Sequence, residues 1–304
     1  MKRMLFLLAS VAILSSCGGG EQASDTNGLT VVTTTGMIAD MVKNIGGDSV
    51  QVQALMGPGV DPHLYKATQG DLGRLQRADI IFYNGLHLEG KMGEVFEKLE
   101  RIKKVVPVAG RIDPGSLLDD PVYQDAHDPH IWFDVSLWLT TADVVLDVLS
   151  EADPENKEYY TLNANRHKNE LIQLHSWVEN QVANIAADQR IMITAHDAFS
   201  YFGRAYGIEV RGLQGISTLS EFGLRDRVDL VNYIVEKKIK AVFVETSVSQ
   251  KNINAIIEGC QQKGHDVIIG GSLYSDAMGA AGTAEGTYPG MVRSNVNALV
   301  NALK

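Results

Sequence analysis

Short β-rich apolar runs punctuate the first third of this chain: LTVVTTT, VQVQAL, ADIIFYN and KKVVPV. Helical stretches at 37–45 and 71–77 separate them. Alternation of this kind predicts a mostly parallel sheet covered by helices. Residues 155–187 break the pattern, because they hold no Gly and no Pro and place Leu171, Leu174, Val178, Val182 and Ile185 at spacings of three and four. That is one stripe of a helix, with Asp153-Pro154 as N-cap and first-turn proline. At ~1.5 Å per residue it would run roughly 50 Å, more than a domain diameter, and so could join two lobes. Beyond it the alternation resumes: RIMITA, a helix near 199–206, IEVRGL, a helix near 225–237, KAVFVET, a helix near 252–263, HDVIIG and a last helix near 288–303. The glycine-rich GGSLYSDAMGAAGTAEGTYPG between the last two reads as a mobile loop.

The fold expected is therefore α/β: two mostly parallel βα lobes joined by one long rigid helix. The divisions are an N-terminal lobe at 29–152, a linker helix at 153–188 and a C-terminal lobe at 189–304. A length of 304 residues agrees, since a single core usually splits beyond ~250–300 residues.

The first sixteen residues stand outside this scheme. Lys2 and Arg3 precede an apolar run at 4–14 that is too short to span a bilayer as a helix, which needs ~20 residues. Residues 1–16 read as an export signal. Leu14-Ser15-Ser16-Cys17 resembles the bacterial lipobox, with Ser16 where Gly or Ala is usual. Lipidation of Cys17 is expected; the alternative is an ordinary signal peptide with an incidental Cys. Residues 17–28 then form a lipidated flexible tether, and Cys260 is left as the only free thiol, with no intrachain disulfide possible. The formal net charge is −10, and loss of Lys2 and Arg3 makes the mature chain more acidic still. That argues against nucleic acid as a partner and mildly favours capture of cations.

Candidate chemistry lies in four segments. Asp61-Pro62-His63 and Asp128-Pro129-His130 repeat the same three residues, TAHDAFSYF carries His196, and SLYSDAMG carries Asp276. Each adjoins an apolar or β-rich run, where a strand would end and its loop begin. Ligands on four loops can surround one ion, and imidazole with carboxylate suits zinc or a neighbouring divalent metal. A proline before a ligand fixes the local backbone and reduces the entropy lost on holding it.

The motifs VDPHLYKAT, ADIIFYNGLHLEG, HDPHIWFD, TAHDAFSYF, GISTLSEFG, VFVETSV and SLYSDAMG stand in this order. With them the mature chain resembles the zinc/manganese solute-binding receptors of bacterial ABC importers, the cluster 9 or TroA/ZnuA-like family. The resemblance implies a metal held between the lobes by His63, His130, His196 and Asp276, with a cognate ABC permease as partner. It implies a membrane-anchored lipoprotein of the cell envelope, and a monomer is expected. Zn2+ is the expected ion and Mn2+ the alternative: members favouring manganese typically place Glu where this chain has His196. Some members that favour zinc carry a His-rich loop, which the short acidic segment 111–126 does not supply. Asp197 and Glu245 could accept a hydrogen bond from a ligand imidazole, and His127 could stand behind the ligands. His87 is read as supporting the fold or an adjacent loop, His167 and His175 as solvated or packed on the long helix, and His265 as lying before a strand without an evident partner.

Other functions are weighed. A zinc-dependent hydrolase would keep an open coordination position, which Asp276 would fill, and no HExxH-type motif supplies a general base; no enzymatic activity is expected. A surface adhesin with a structural metal remains an alternative. A receptor for a metal chelate fits less well than one for a naked ion, given ligand-rich loops. Metal affinity is expected to fall as pH drops through the imidazole range near ~6.5.

Overall fold

The structure is a computed structural model, described for residues 28–123, 125–219 and 223–304. The export signal, Cys17 and all of the tether but Gly28 lie outside the described residues. No helix among those described is long and apolar enough to cross a membrane.

The first lobe opens with β1 (Leu29–Thr33), α1 (Gly36–Gly46), β2 (Val50–Ala54), α2 (Gln69–Arg77) and β3 (Ile80–Tyr83). It continues with α3 (Gly93–Glu100), β4 (Lys104–Pro107) and α4 (Val135–Ala152). Its four strands form one parallel sheet in the order β2-β1-β3-β4. After α5 (Lys157–Val182) come β5 (Ile191–His196), α6 (Ser200–Tyr206), β6 (Glu209–Gln214), α7 (Leu224–Lys237), β7 (Ala241–Glu245), α8 (Lys251–Gln262), β8 (Ile268–Leu273) and α9 (Tyr288–Leu303). Here β5 pairs with β6 and β7 with β8, both parallel, and the two ladders meet through β5 and β7. Sheets covered on both faces explain why the inner strands β1, β3, β5 and β7 read as short apolar runs, whereas the outer strands β2 and β6 alternate between more and less buried positions.

Three apolar cores result. One lies between the first sheet and α2 and α3, with Leu75, Ile81 and Phe96. A second lies between the second sheet and α7 and α8, with Ile193, Ile234 and Ile256. The third is shared: Ile38 and Met41 of α1, Trp138 of α4, Leu171 and Leu174 of α5, Phe243 of β7 and Leu299 of α9 belong to one continuous cluster.

The long helix is shorter than its composition suggests. Pro154–Asn156 form a 3-10 turn, and α5 proper is 26 residues, ~39 Å at 1.5 Å per residue. Asp153 is the N-cap of that turn, and its carboxylate accepts from Asn156 Nδ2 (2.8 Å) and Tyr160 Oη (2.7 Å). At the other end Arg190 folds back, and its Nε donates to the Ile185 carbonyl at 3.0 Å. That pairs a carbonyl in the turn that follows the helix. Tyr160, Ala164, His167, Leu171, Leu174, Val178 and Val182 form its buried stripe, which packs on α1 and α4 of one lobe and α9 of the other.

Two elements differ from the sequence reading. The 18-residue α4 was not foreseen. Strand β8 runs Ile268–Leu273, so it extends past HDVIIG and takes in Gly271, Ser272 and Leu273 from the segment the sequence reads as a loop. A Cβ on Gly270 would lie 2.7 Å from the Ala302 Cβ, and one on Gly271 3.1 Å from that of Ala298. These glycines let α9 seat closely on the strand.

Candidate metal centre

Both Asp-Pro-His segments fold by the same local device. Asp61 Oδ1 accepts the His63 backbone N–H at 2.8 Å, and Asp128 Oδ1 accepts that of His130 at 2.9 Å. An aspartate bonding the amide two residues on forms an Asx turn, and the intervening proline keeps the aspartate out of helical backbone. The first turn lies between β2 and α2; the second precedes a 3-10 turn, Ile131–Phe133, that enters α4. His196 is the last residue of β5, and Asp276 follows β8. The carboxyl ends of parallel strands are where open α/β sheets bind ligands.

From these four positions the side chains converge. Nε2 of His63 lies 3.3 Å from Nε2 of His130 and 3.9 Å from Asp276 Oδ2. Asp276 Oδ1 is 3.5 Å from His130 Nε2, and Oδ2 is 3.3 Å from His196 Nε2. One donor atom from each residue lies within 4.8 Å of all the others, and among the described residues this is the only such group of His, Cys, Asp and Glu. Donors ~2.0–2.1 Å from a tetrahedral zinc ion stand ~3.3–3.4 Å apart, so the cluster needs little contraction to hold one. All four residues are buried, at 0–3% exposure. Both Asp276 oxygens and His196 Nε2 are buried without a hydrogen-bond partner. Unpaired buried polar atoms are costly, and a cation among them satisfies all three.

The outer imidazole nitrogens are fixed. His130 Nδ1 donates to Asp128 Oδ1 (2.7 Å), and His196 Nδ1 donates to Glu245 Oε2 (2.5 Å). Glu245 Oε1 also accepts the His196 backbone N–H at 2.8 Å. Carboxylates so placed turn Nε2 toward the centre and raise its basicity. Asp197 plays no such part: its carboxylate accepts from Ser200 Oγ. The role of Asp128 escaped the sequence reading, although its motif contained the signal, an acceptor two residues before the imidazole.

The electrostatics divide the three imidazoles. Burial, only partly offset by Asp276, holds His63 down to about 3, so its ring stays neutral. Burial also disfavours the charged form of His130, but Asp128 and then Asp276 outweigh it and bring the group up to about 9. His196 is raised well above the ordinary imidazole value, because Glu245 and Asp276 overcome its burial. Asp276 is likewise buried, yet His196 and His130 hold its carboxyl well below the usual carboxylate range.

The remaining histidines stay apart from the cluster. His127 Nδ1 faces Asp119 at 3.2 Å. With His63, His87, Tyr123 and Leu219 it lines a cavity of about 410 Å³ over the centre. His87 has a left-handed backbone, φ 63°. His167 is buried in α5, His175 Nδ1 pairs with Tyr206 Oη (3.0 Å), and His265 Nε2 donates to the Ile239 carbonyl (2.7 Å).

Two parallel lobes meeting over a buried set of three imidazoles and one carboxylate define a metal-binding receptor of the solute-binding class. More particularly, the chain belongs to the family described as ZnuA, the periplasmic component A of a zinc-uptake complex, which matches residues 31–302. It is 48% identical to the manganese-binding lipoprotein MntA of Bacillus subtilis (strain 168) over 305 residues, 99% of this chain and 98% of that protein. It is 47% identical to the zinc-binding protein TroA of Treponema pallidum (strain Nichols) over 286 residues, 94% and 92% of the two chains. The solved structure of the periplasmic zinc-binding protein TroA from Treponema pallidum is similar throughout, with a TM-score of 0.89 over 91% of this chain and 99% of that one.

Proposed function

We propose that this protein captures one divalent metal ion outside the cytoplasm and delivers it to the permease of an ABC importer. His63, His130 and His196 would bind it through Nε2, and Asp276 through its carboxylate. The observation that carries this reading is the Asp276 carboxylate: fully buried, with both oxygens lacking a hydrogen bond, and within 3.3–3.9 Å of three imidazole nitrogens. Family membership supplies the importer as partner. The names of the relatives point to both manganese and zinc, and the donor set favours zinc. Manganese prefers oxygen ligands and sits low in the divalent affinity order, whereas zinc accepts imidazole readily and sits far higher. Manganese is therefore bound more weakly at the same site.

The protein is a lipoprotein of the cell envelope on this reading, monomeric and held to the membrane through Cys17. The relative named a lipoprotein spans nearly the whole chain, which supports the anchor. The division into lobes at 29–152 and 189–304, with the linker helix at 153–188, is supported by the contacts of α5 with both halves. With four protein donors no coordination position stays open for a substrate water, which favours a receptor over a hydrolase.

The test is elemental analysis of protein purified from cells with balanced metals, then competition titration of the apo-protein with zinc and manganese. One ion per chain and tighter zinc binding are expected. Manganese binding as tightly as zinc would overturn the metal assignment, and loss of no affinity in His63→Ala or His130→Ala would overturn the ligands. Cys17→Ala is expected to leave membranes while keeping its metal; continued sedimentation with membranes would refute the anchor.

A further inference from the structure

The two Asx turns differ in what their aspartates do next. Asp128 applies the same oxygen to its own histidine's ring, so His130 is aimed from within its turn. Asp61 instead directs its second oxygen across the cleft, where Oδ2 accepts the Thr218 hydroxyl at 2.6 Å. Thr218 belongs to the other lobe, in the segment after β6 whose Ile216, Ser217 and Leu219 line the cavity over His63. The His63 loop is a long stretch without regular structure between β2 and α2. It also approaches the second lobe at Gly59, at φ 71°, where an added Cβ would lie 3.3 Å from the Thr246 carbonyl. His63 also faces the solvent side, being the only one of the three cluster imidazoles that lines this cavity.

We propose that Thr218, acting through Asp61, is a positioning residue that holds His63 in the donor cluster and sets how fast the bound metal leaves. Thr218 touches no ligand atom. Its hydroxyl fixes one carboxylate oxygen of Asp61 while the other fixes the His63 amide, so the side chain of one lobe tensions the ligand loop of the other. Losing the bond frees the loop to swing toward the cavity, taking with it the imidazole whose ring no carboxylate of its own turn restrains. The other three donors remain in place, so the ion is loosened from one side only.

This inference rests on His63 being a ligand, as proposed above. The experiment compares Thr218→Val, which keeps shape and loses the hydroxyl, with Thr218→Ser, which restores it. Zinc-loaded and manganese-loaded receptors are mixed with excess EDTA and the dissociation rate is followed. Thr218→Val is expected to release either metal about tenfold faster, the scale of one lost hydrogen bond to a charged group. The association rate and the melting temperature of the apo-protein should not change, and Thr218→Ser should return the parent rate. An unchanged dissociation rate in Thr218→Val, while His63→Ala loses affinity, would overturn the role of Thr218 and leave the ligands standing. Full affinity in His63→Ala would overturn the ligand assignment itself. Faster release accompanied by a fall in apo melting temperature and no rescue by Thr218→Ser would reduce Thr218 to a general structural residue.

Discussion

Metal affinity is expected to rise steeply with pH, over a window well above that of a free imidazole. The perturbation is a change from pH 6 to pH 8. Without metal, His130 keeps its proton up to about 9, and His196 is raised in the same direction. Each proton must leave before Nε2 can bind an ion. The sign follows from competition: while pH is below the group's value, each rise of one unit weakens the proton's hold tenfold, ~1.4 kcal/mol, and strengthens the metal's by the same factor. At pH 7 the His130 proton alone, held to about 9, sets the metal back roughly 100-fold, or ~2.7 kcal/mol. With both protons displaced, apparent affinity should climb more steeply than the tenfold per unit of a single proton, and the His130 contribution should flatten as pH nears 9. His63, already neutral, adds nothing to the slope. The assay is competition titration from pH 6 to 8 against a chelator corrected for its own protonation. Calorimetry at pH 7 in buffers of different ionisation enthalpy would count the protons released. Release of less than one proton, or affinity level above pH 7, would refute the argument and return the site to the ordinary window near ~6.5.

Glu245→Gln removes the charge that holds the His196 proton; it should weaken metal binding ~10–100-fold and lower the calorimetric proton count, and an unchanged count would contradict the electrostatic role given to Glu245. His196→Glu adds an oxygen donor and should narrow the zinc-to-manganese affinity ratio in paired titrations; an unchanged ratio would refute the ligand-type argument. Zinc at ~1,000 times its dissociation constant should stabilise the native state by ~4 kcal/mol, read as a higher melting temperature. Hydrogen exchange should slow most in the segment after β8 that carries Asp276, and equal protection there with and without metal would oppose its role as a ligand.

Much of this was legible in the sequence because parallel strands buried on both faces leave short apolar runs. The same logic failed at α4. Val135, Leu137, Trp138, Val144, Val145, Val148 and Leu149 are all buried, and its β-branched residues weaken the helical signal, although Ser136, Thr140, Asp143, Asp147 and Glu151 line an exposed face at spacings of three and four. At β8 the glycines misled, since Gly270 and Gly271 serve close packing with α9 rather than a turn. For the site, the motifs singled out all four converging residues, and Glu245 was foreseen as an acceptor from 49 residues away. What no linear pattern carries is the cross-lobe register. The bond from Thr218 to Asp61 joins residues 157 apart, and only the folded chain brings them together.

The unbroken core beneath both lobes has a mechanical consequence. A receptor whose lobes are joined by flexible strands can report its occupancy by swinging through a large angle. Here Ile38 and Met41 of one half, Leu171 and Leu174 of α5, and Val296 and Leu299 of the other half are locked into one apolar body, and prying the halves apart would expose it to water at ~25 cal/mol per Å². Stiffness is thus concentrated in the spine and compliance in the rim, where the His63 and Asp276 loops lie. The radius of gyration from solution scattering should then barely differ between apo and loaded protein. A transporter engaging this receptor would sense a full site by the stance of two loops, and would extract the cargo by working those loops rather than by bending the molecule.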